Sequence, residues 1–355
     1  VVDASDRILT PGFVDLHVHV IGGGGEGGPA TRVPEIQLSS ITAAGVTTVV
    51  GLLGTDDATR HPETLLAKTL GLCAEGISAF MMCGSYQFPP ATVTGSVRKD
   101  IALIGPVIGV GEVALSDHRS SQPTFDEFTR LVAEARVGGL LGGKAGLVQI
   151  HMGGGSGGME YIFRMARETE LPPGQVLPTH VTRSEDLFQQ ALSLVSAGGS
   201  IDITASGTRK QKGVDSSHVL SVFMAGELPL QRLTVSSDAN GSIPRFDPGG
   251  SFEGLDVAGM DTLQEEFRRL ITVEGFPVTD VLGLFTSNPA ARIGMKGRKG
   301  CLREGADADM IVFRDDWKID RVYARGRLMV AGGTPVVRGT FEPGMPSAIS
   351  RGRGN

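Results

Sequence analysis

Eight short apolar runs recur along the chain, and segments with apolar residues at helical spacing separate them. Each run is rich in Val, Ile or Leu, which is typical of parallel strands covered on both faces. The predicted strands are 12–20, 47–53, 78–84, 107–115, 148–152, 176–181, 200–204 and 233–237. The predicted helices are 34–44, 62–75, 125–135, 158–169, 184–197, 216–225 and 262–274. Eight strands that alternate with helices predict an α/β fold, a (β/α)₈ TIM barrel, rather than an open sheet.

The two chain ends have a different pattern, in which short apolar segments alternate with glycine turns. The segments "VVDASDRILTPG" and "GCLREGADADMIVFRDDWKIDRVYARGRLMVAGGTPV" both predict short β-strands. The sequence therefore predicts a small β-rich domain formed from the two chain ends, with residues 1–10 as its N-terminal part and 296–342 as its C-terminal part. The N-terminal part is expected to be incomplete, because few residues precede the first barrel strand. The barrel covers 11–295, and 343–355 is predicted to be a disordered tail.

Composition narrows the class of protein. Apolar residues make up 40% of the 355 residues, so a large core is expected. The net charge of −6 argues against a nucleic-acid partner. No apolar run reaches the ~18 residues of a membrane span, and nothing at the N-terminus resembles a signal peptide. The three scattered cysteines, Cys73, Cys83 and Cys301, indicate reduced thiols and a cytoplasmic location.

Ionisable side chains stand where the predicted strands end, which is where barrel enzymes place their active sites. They are His17, His19, Glu112, His151, His180 and Asp238. His17 and His19 are two residues apart in a strand and therefore point to the same side, as a metal chelate requires. Any one of these histidines alone is more typical of the core, but four histidines and two acids together predict a metal site. Nitrogen and oxygen ligands suit Zn²⁺, with Mn²⁺, Fe²⁺ or Co²⁺ as alternatives.

Several motifs resemble a known family. "PGFVDLHVHV", "PTHV" and "TVSSDANGS" are similar to motifs of the amidohydrolase superfamily of metal-dependent hydrolases. "HVHVIGGGGEGGPATR", "GLLGTDDATRHPETLLAKT", "VALSDHRSSQP", "RVGGLLGGKAG" and "LPTHVTR" resemble, more narrowly, the isoaspartyl (β-aspartyl) dipeptidases. The resemblance runs from about residue 11 to about residue 341.

The resemblance implies two divalent metal ions per chain, expected to be Zn²⁺, and a small-molecule substrate, a β-aspartyl dipeptide. His17, His19 and Asp238 would hold the more buried ion, and His151 and His180 the second. A hydroxide that bridges the ions would attack the peptide bond. Asp238 would act as general base and then as general acid toward the leaving amine. The resemblance also implies a homo-oligomer.

It further implies roles for residues around the metals. Glu26 would pair with the α-ammonium group of the substrate, and Tyr86 would donate to the developing oxyanion. Arg119 and Arg183 would bind the carboxylate of the leaving amino acid. The α-carboxylate of the isoaspartyl residue would contact Gly24, Thr55 and Ser242. Glu26 could instead be a solvated loop acid, and Tyr86 a residue that packs in the barrel rim. Arg119 and Arg183 could form surface ion pairs, and Thr55 and Ser242 could cap or turn the backbone.

Glu112 departs from the family pattern, in which a carbamylated lysine follows "VIGV" and bridges both metals. Here "VIGVGEVALSDHRS" places Glu112 at that position, with an additional Gly111 before it. Because the Glu side chain is shorter than a lysine carbamate, we expect the strand to bulge inward there. Two alternatives are that Glu112 only packs in the rim of a one-metal site, and that Lys144 carries the carbamate.

Three functions follow from these observations. The first is a binuclear metallodipeptidase that cleaves β-aspartyl dipeptides. The second is another amidohydrolase that acts on a cyclic amide or an N-acyl amino acid. The third is a catalytically silent scaffold on the same fold. The charged set formed by Glu26, Arg119 and Arg183 favours the first, because it fits a zwitterionic substrate.

Overall fold

Parallel and antiparallel strands occupy separate sheets in the computed structural model, which describes residues 5–207, 213–246 and 252–343. The strands are β1 (Ile8–Pro11), β2 (Phe13–Val18), β3 (Val46–Gly51), β4 (Ser78–Cys83), β5 (Val107–Leu115), β6 (Leu147–Met152), β7 (Val176–Thr179), β8 (Ile201–Thr204), β9 (Leu233–Ser236), β10 (Ser242–Phe246), β11 (Phe252–Val257), β12 (Met310–Phe313), β13 (Ile319–Ala324), β14 (Arg327–Ala331) and β15 (Thr334–Pro335). The helices are α1 (Leu38–Ala43), α2 (Pro62–Glu75), α3 (Val97–Leu103), α4 (Phe125–Gly142), α5 (Glu160–Glu168), α6 (Glu185–Ser196), α7 (Ser216–Ala225), α8 (Thr262–Thr272), α9 (Val278–Phe285) and α10 (Ser287–Arg292).

The parallel strands form a curled six-stranded sheet, in the order β2-β3-β4-β5-β6-β7, and a separate pair, β8-β9. Side chains and backbone connect this pair to both edges of the sheet. Thr179 Oγ1 of β7 donates to Asp202 Oδ2 of β8 at 2.8 Å, and the backbone N–H of His19 donates to Ala239 O at 2.9 Å. Each of the eight predicted strands is present, and helices separate them, so the predicted α/β fold with a parallel sheet is confirmed.

The chain ends meet in an antiparallel sheet of order β1-β12-β13-β14-β15. β1 pairs with β12 in the register Leu9↔Val312, so the predicted β structure from both chain ends is confirmed. Aromatic side chains connect this sheet to the first parallel strand and to α8. The ring centroid of Phe267 lies 5.1 Å from that of Phe13 and 5.7 Å from that of Phe313. Such contacts contribute beyond the apolar area that they bury.

Helix starts were predictable where a capping residue was present. Ser184 Oγ accepts a hydrogen bond from Leu187 N at the start of α6, as the sequence predicts. α2 and α7 have the predicted bounds. α4, by contrast, continues seven residues past its predicted end at residue 135, through a glycine pair. A Cβ at Gly138 would lie 3.0 Å from Ile101 Cβ, so close packing on α3 compensates for the low helix propensity of glycine.

Several elements are absent from the sequence-based prediction. These are the short helices α3, α9 and α10 and the hairpin β10-β11. The predicted disordered tail, 343–355, lies almost entirely outside the described residues.

Lys299 joins the chain-end sheet to the parallel sheet through a buried ion pair. Its side chain is 1% exposed, and its ammonium lies 2.6 Å from Asp309 Oδ2 and 2.9 Å from Asp307 Oδ2. It also donates to the hydroxyl of Ser78, the first residue of β4.

We expect Lys299→Met to lower the free energy of unfolding by about 3–5 kcal/mol, because it leaves the buried Asp309 carboxylate without its cation. Chemical denaturation measures this loss. Lys296→Met is the matched control, since Lys296 is exposed, and its effect should stay within about 0.5 kcal/mol. Equal effects of the two substitutions would contradict this role of Lys299.

Candidate active site

The carboxylate of Glu112 lies between two pairs of histidines. Its Oε2 is 3.2 Å from His17 Nε2 and 3.9 Å from His19 Nε2. Its Oε1 is 2.6 Å from His151 Nδ1 and 3.2 Å from His180 Nε2. Each oxygen therefore faces one histidine pair, which is the arrangement that a carboxylate needs to bridge two ions.

Asp238, which lies just after the C-terminal end of β9, contacts the same histidines. Its Oδ1 lies 3.2 Å from His19 Nε2 and 3.4 Å from His17 Nε2, and its Oδ2 lies 4.0 Å from His180 Nε2. Asp238 follows β9 and has a φ of 54°. Unlike Glu112, whose side chain is 1% exposed, Asp238 is 21% exposed and reaches the solvent side of the cluster.

A bulge in β5 brings the Glu112 side chain into the cluster. Val110 pairs with Val148 and Val113 pairs with Ile150, so β5 has one more residue than β6 across this interval. The predicted bulge at Gly111 is therefore confirmed. A Cβ at Gly111 would lie 3.0 Å from Gln149 Cβ, which explains why glycine precedes the acid. The Gly111–Glu112 peptide bond is cis.

The six residues fit two divalent ions. The residues form three overlapping groups, and within each group the nitrogen and oxygen atoms that could bind an ion lie within 4.8 Å of one another. The groups are His17, His19 and Glu112; His17, His180 and Asp238; and Glu112, His151 and His180. His17 Nε2 is buried without a hydrogen-bond partner, although it faces both carboxylates. Its other nitrogen, Nδ1, contacts the Gln149 amide at 3.1 Å. A buried imidazole nitrogen left free in this way is suited to bind a cation.

Electrostatics keep both acids ionised at this depth. Burial raises the pKa of Glu112, but His17 and His151 outweigh burial and hold it well below its ordinary value. Burial likewise raises the pKa of Asp238, and His17 and His19 hold it below its usual range. Burial lowers the pKa of His17, but Glu112 and Asp238 raise it to about 9. Burial is the largest cause that lowers the pKa of His180 to about 3. A protonated His17 therefore offsets part of the charge of the two carboxylates, and a bound cation would take the place of this proton.

A cavity of about 820 Å³ opens above this cluster. The residues predicted to bind substrate all line it: Gly24, Glu26, Thr55, Tyr86, Arg119, Arg183 and Ser242. His19, Glu112, His151, His180 and Asp238 line it as well, whereas His17 lies deeper. The structure thus brings the sequence-predicted residues together around one cavity.

Glu26 is the centre of a polar group on one side of the cavity. Its carboxylate accepts hydrogen bonds from Thr55 Oγ1 at 3.2 Å and from Ser242 Oγ at 3.1 Å. Arg119 Nη1 lies 3.5 Å from Glu26 Oε1. Gly24, in the same loop, has a φ of 74°, a conformation that glycine adopts without strain.

Tyr86 and the two arginines meet at His151. The Tyr86 hydroxyl lies 2.6 Å from His151 Nδ1, and Arg119 Nη2 and Arg183 Nη2 each lie 3.2 Å from His151 Nε2. Burial, together with the Glu112 charge, raises the pKa of Tyr86 well above its ordinary value, so the hydroxyl keeps its proton. Two guanidinium groups that converge on one point form a site for an anion.

Sequence reasoning missed two charged residues that support the rim. Arg60 is buried and donates to Ile21 O at 3.1 Å and to Val33 O at 3.0 Å, so it anchors both ends of the loop that carries Glu26. Asp117 is also buried, and its carboxylate contacts both His151 and Arg119. The only signal for either was its position inside a family-like motif, "TDDATR" or "SDHRS".

The remaining histidines and Lys144 are not part of the cluster, although His118 lines the cavity. His61 precedes α2 as its N-cap residue, and His218 is exposed on α7. The side chain of His118 is 90% exposed. Lys144 Nζ donates to the carbonyl oxygens of Ile101, Ile104 and Val107, so the structure gives no support to a carbamate on this lysine.

Comparisons with known proteins agree on the fold. A family model of the amidohydrolase family matches residues 231–337. The dihydroorotase of Streptococcus pyogenes serotype M3 is 23% identical over 387 residues, which cover 95% of this chain and 85% of the relative. A solved D-hydantoinase has a TM-score of 0.64 at 15% identity and covers 96% of this chain and 89% of its own. At these identities the likeness extends to the fold alone.

One solved structure is much more similar. It is the β-aspartyl dipeptidase of Fervidobacterium islandicum AW-1 in complex with the β-Asp-Leu dipeptide. It is 44% identical to this chain and has a TM-score of 0.88, and the alignment covers 94% of this chain and 88% of the other. A second structure of the dipeptidase from this organism is 41% identical, with a TM-score of 0.86. With this identity over nearly its whole length, the chain belongs to the β-aspartyl dipeptidase family of amidohydrolases.

Proposed function

We propose that this protein is a metal-dependent hydrolase that cleaves β-aspartyl dipeptides into aspartate and the second amino acid. The observation that carries the proposal is the charge pattern of the cavity. Glu26 and the two converging guanidinium groups of Arg119 and Arg183 line the cavity beside the metal-type cluster, and Arg119 Nη1 lies 3.5 Å from Glu26 Oε1. A β-aspartyl dipeptide carries one ammonium and two carboxylate groups, so its charges complement this pattern. The β-Asp-Leu complex of the 44% identical relative supports the same substrate class.

The metal ions are proposed to be held by the six residues of the cluster, with Glu112 shared between them. Two such ions would polarise the scissile carbonyl and lower the pKa of a water molecule to about 7, which supplies a hydroxide nucleophile at neutral pH. We propose Zn²⁺, because imidazole and carboxylate ligands suit it.

Asp238 is proposed to move the proton. It is ionised, its side chain is more exposed than that of Glu112, and its Oδ2 lies 4.0 Å from His180 Nε2. This oxygen can therefore accept a proton from the attacking water and donate it to the leaving amine.

The remaining rim residues are proposed to hold the substrate. Glu26 binds the α-ammonium group, and Tyr86 donates its retained proton to the developing oxyanion. Arg119 and Arg183 bind the carboxylate of the leaving residue in bidentate fashion. The α-carboxylate of the aspartyl residue is bound by Gly24, Thr55 and Ser242. Thr55 and Ser242 each donate a hydrogen bond to Glu26, so substrate would replace these internal hydrogen bonds.

Finer features of the fold and assembly are also proposals. We infer that the six-stranded sheet and the β8-β9 pair act together as one (β/α)₈ barrel, supported by the two hydrogen bonds that join them. Residues 11–295 would then form the catalytic domain, and 1–10 with 296–342 the small β domain. A homo-oligomer and a cytoplasmic location are proposed by analogy and from the unpaired thiols. Among the described residues, no helix is long and apolar enough to cross a membrane.

The other two functions have less support. A cyclic-amide hydrolase needs neither an acid nor a pair of arginines around its substrate. The relatives that act on cyclic amides are too distant from this chain to indicate its activity. A silent scaffold would not need six converging ligands.

Substrate choice tests the proposed function. We expect metal-loaded protein to hydrolyse β-Asp-Leu and to leave α-Asp-Leu uncleaved, since only the β linkage places both carboxylates against their predicted partners. Release of leucine, followed by chromatography, measures both reactions. Equal cleavage of the two dipeptides, or cleavage of neither, would refute the proposal.

Replacing Glu112 tests the bridging carboxylate. Glu112→Gln keeps the shape but removes the charge, so we expect loss of at least one ion per chain with little change in melting temperature. Elemental analysis of purified protein measures the metal content, and Glu168→Gln is the control, because the Glu168 side chain is exposed at the end of α5. Metal loading of the unaltered protein should not depend on added bicarbonate. Full loading of Glu112→Gln, or loading that requires bicarbonate, would contradict the bridge.

Replacing Asp238 tests proton transfer. Asp238→Asn keeps the size of the side chain, and we expect turnover to fall by about 10²–10⁴-fold while metal is retained. Steady-state kinetics with β-Asp-Leu, together with metal content, measure both quantities. Turnover near that of the unaltered protein at normal metal content would remove Asp238 from this role.

A further inference from the structure

Three charged groups surround one nitrogen of His151. Asp117 Oδ2 lies 3.1 Å from Nε2, and Arg119 Nη2 and Arg183 Nη2 each lie 3.2 Å from it. The other ring nitrogen, Nδ1, faces Glu112 Oε1 at 2.6 Å. His151 therefore presents Nδ1 to the metal cluster and Nε2 to the rim of the cavity.

The chemistry of the ring selects one of these three partners. If His151 gives its Nδ1 lone pair to a metal ion, its single proton must reside on Nε2. A proton on Nε2 requires an acceptor, and guanidinium groups have none. Of the described groups within hydrogen-bond distance of Nε2, only Asp117 can accept. Asp117 is thus suited to fix the tautomer that binds a metal through Nδ1.

The same carboxylate holds Arg119. Asp117 Oδ1 accepts from Arg119 Nε at 2.9 Å, and Oδ2 accepts from Arg119 Nη2 at 2.9 Å. Oδ1 also accepts from the backbone N–H of Arg119 at 2.8 Å. This bidentate pair fixes the plane of the guanidinium, which lines the substrate cavity.

The backbone around Asp117 is itself held in place. Gln122 Nε2 donates to Asp117 O at 3.0 Å, and Ser120 N donates to the same oxygen at 3.1 Å. Gly153, directly after β6, packs so closely that a Cβ there would lie 2.6 Å from Asp117 Cβ. A carboxylate held this firmly can orient its two partners.

We infer that Asp117 is a positioning residue with two functions: it holds the His151 ring in the metal-binding tautomer, and it orients Arg119 toward the carboxylate of the leaving residue. The inference rests on the proposed function. It predicts that one substitution weakens two properties that other substitutions affect separately, namely metal retention and recognition of the terminal carboxylate.

The test compares three variants loaded with Zn²⁺. Asp117→Asn removes the charge from the shared acceptor. Arg119→Met removes only the guanidinium. Asp56→Asn is the matched control, because Asp56 also pairs with an arginine near the cavity, at 2.7 Å from Arg60, but is not a contact of His151. Asp117→Ala is used in addition if the Asn variant is poorly folded, since it leaves only a space in a rim loop.

Two measurements are made on each variant. The first is Zn²⁺ retained after dialysis against graded concentrations of a chelator, which gives relative affinity without reference to activity. The second is the ratio of kcat/KM for β-Asp-Leu to that for its C-terminal amide, which lacks the terminal carboxylate.

We expect Asp117→Asn to lower Zn²⁺ affinity by about 10- to 100-fold, the usual effect of removing a carboxylate that supports a ligating histidine. Its preference for the free carboxylate should fall toward that of Arg119→Met. Arg119→Met should lose the preference and keep its Zn²⁺, and Asp56→Asn should keep its Zn²⁺ affinity.

Two results would overturn the inference. Zn²⁺ affinity of Asp117→Asn equal to that of Asp56→Asn would show that Asp117 does not support His151. An unchanged preference for the free carboxylate would show that it does not orient Arg119. Failure of the proposed function would be distinct, because the unaltered protein would then cleave β-Asp-Leu and α-Asp-Leu equally or cleave neither, while the Zn²⁺ comparison would still be measurable.

Discussion

The shared carboxylate of Glu112 is the interaction on which the site depends. Its two oxygens face two separate histidine pairs, and the side chain is almost completely buried. Because a glutamate is shorter than a carbamylated lysine, the backbone must come closer to the histidines for the carboxylate to reach them. The additional residue in β5 provides this approach, and Gly111 is needed because Gln149 leaves no room for a side chain beside the bulge. The bulge in β5 and the glutamate at position 112 therefore depend on each other.

Burial of two anions requires compensation, and the surrounding side chains provide it at successive distances. The histidines contact Glu112 and Asp238 directly and keep them ionised. Further out, Asp117 contacts His151 and Arg119, so it connects the metal cluster to the substrate rim. Arg60 anchors the loop that carries Glu26 to backbone carbonyls at both loop ends. Arg119 and the Glu26 loop are thus fixed by partners that do not themselves need to contact substrate.

The sequence was sufficient for the strands and for the convergence of the six cluster residues, because both follow simple patterns. Buried parallel strands are continuous apolar runs, and the ends of such strands converge, so His17 and Asp238 could be placed together although they are far apart along the chain. The length of α4 was not predictable, since its glycines are stabilised by contact with α3. The hairpin β10-β11 and Asp117 were missed for a related reason, because neither is marked by a hydrophobic period or by a motif spacing. From the sequence alone, Asp117 looks like an ordinary ion-pair partner of Arg119, and only the structure places the His151 ring beside it.

We propose that Glu112, rather than a carbamylated lysine, joins two metal ions. Crystallography of Zn²⁺-loaded protein, with anomalous data at the zinc edge, measures this directly. The account predicts two anomalous peaks, each at about 2.0–2.2 Å from a different Glu112 oxygen, the usual Zn–O distance. A single peak, or two peaks bridged by a carbamate on Lys144 with Glu112 turned away, would contradict it.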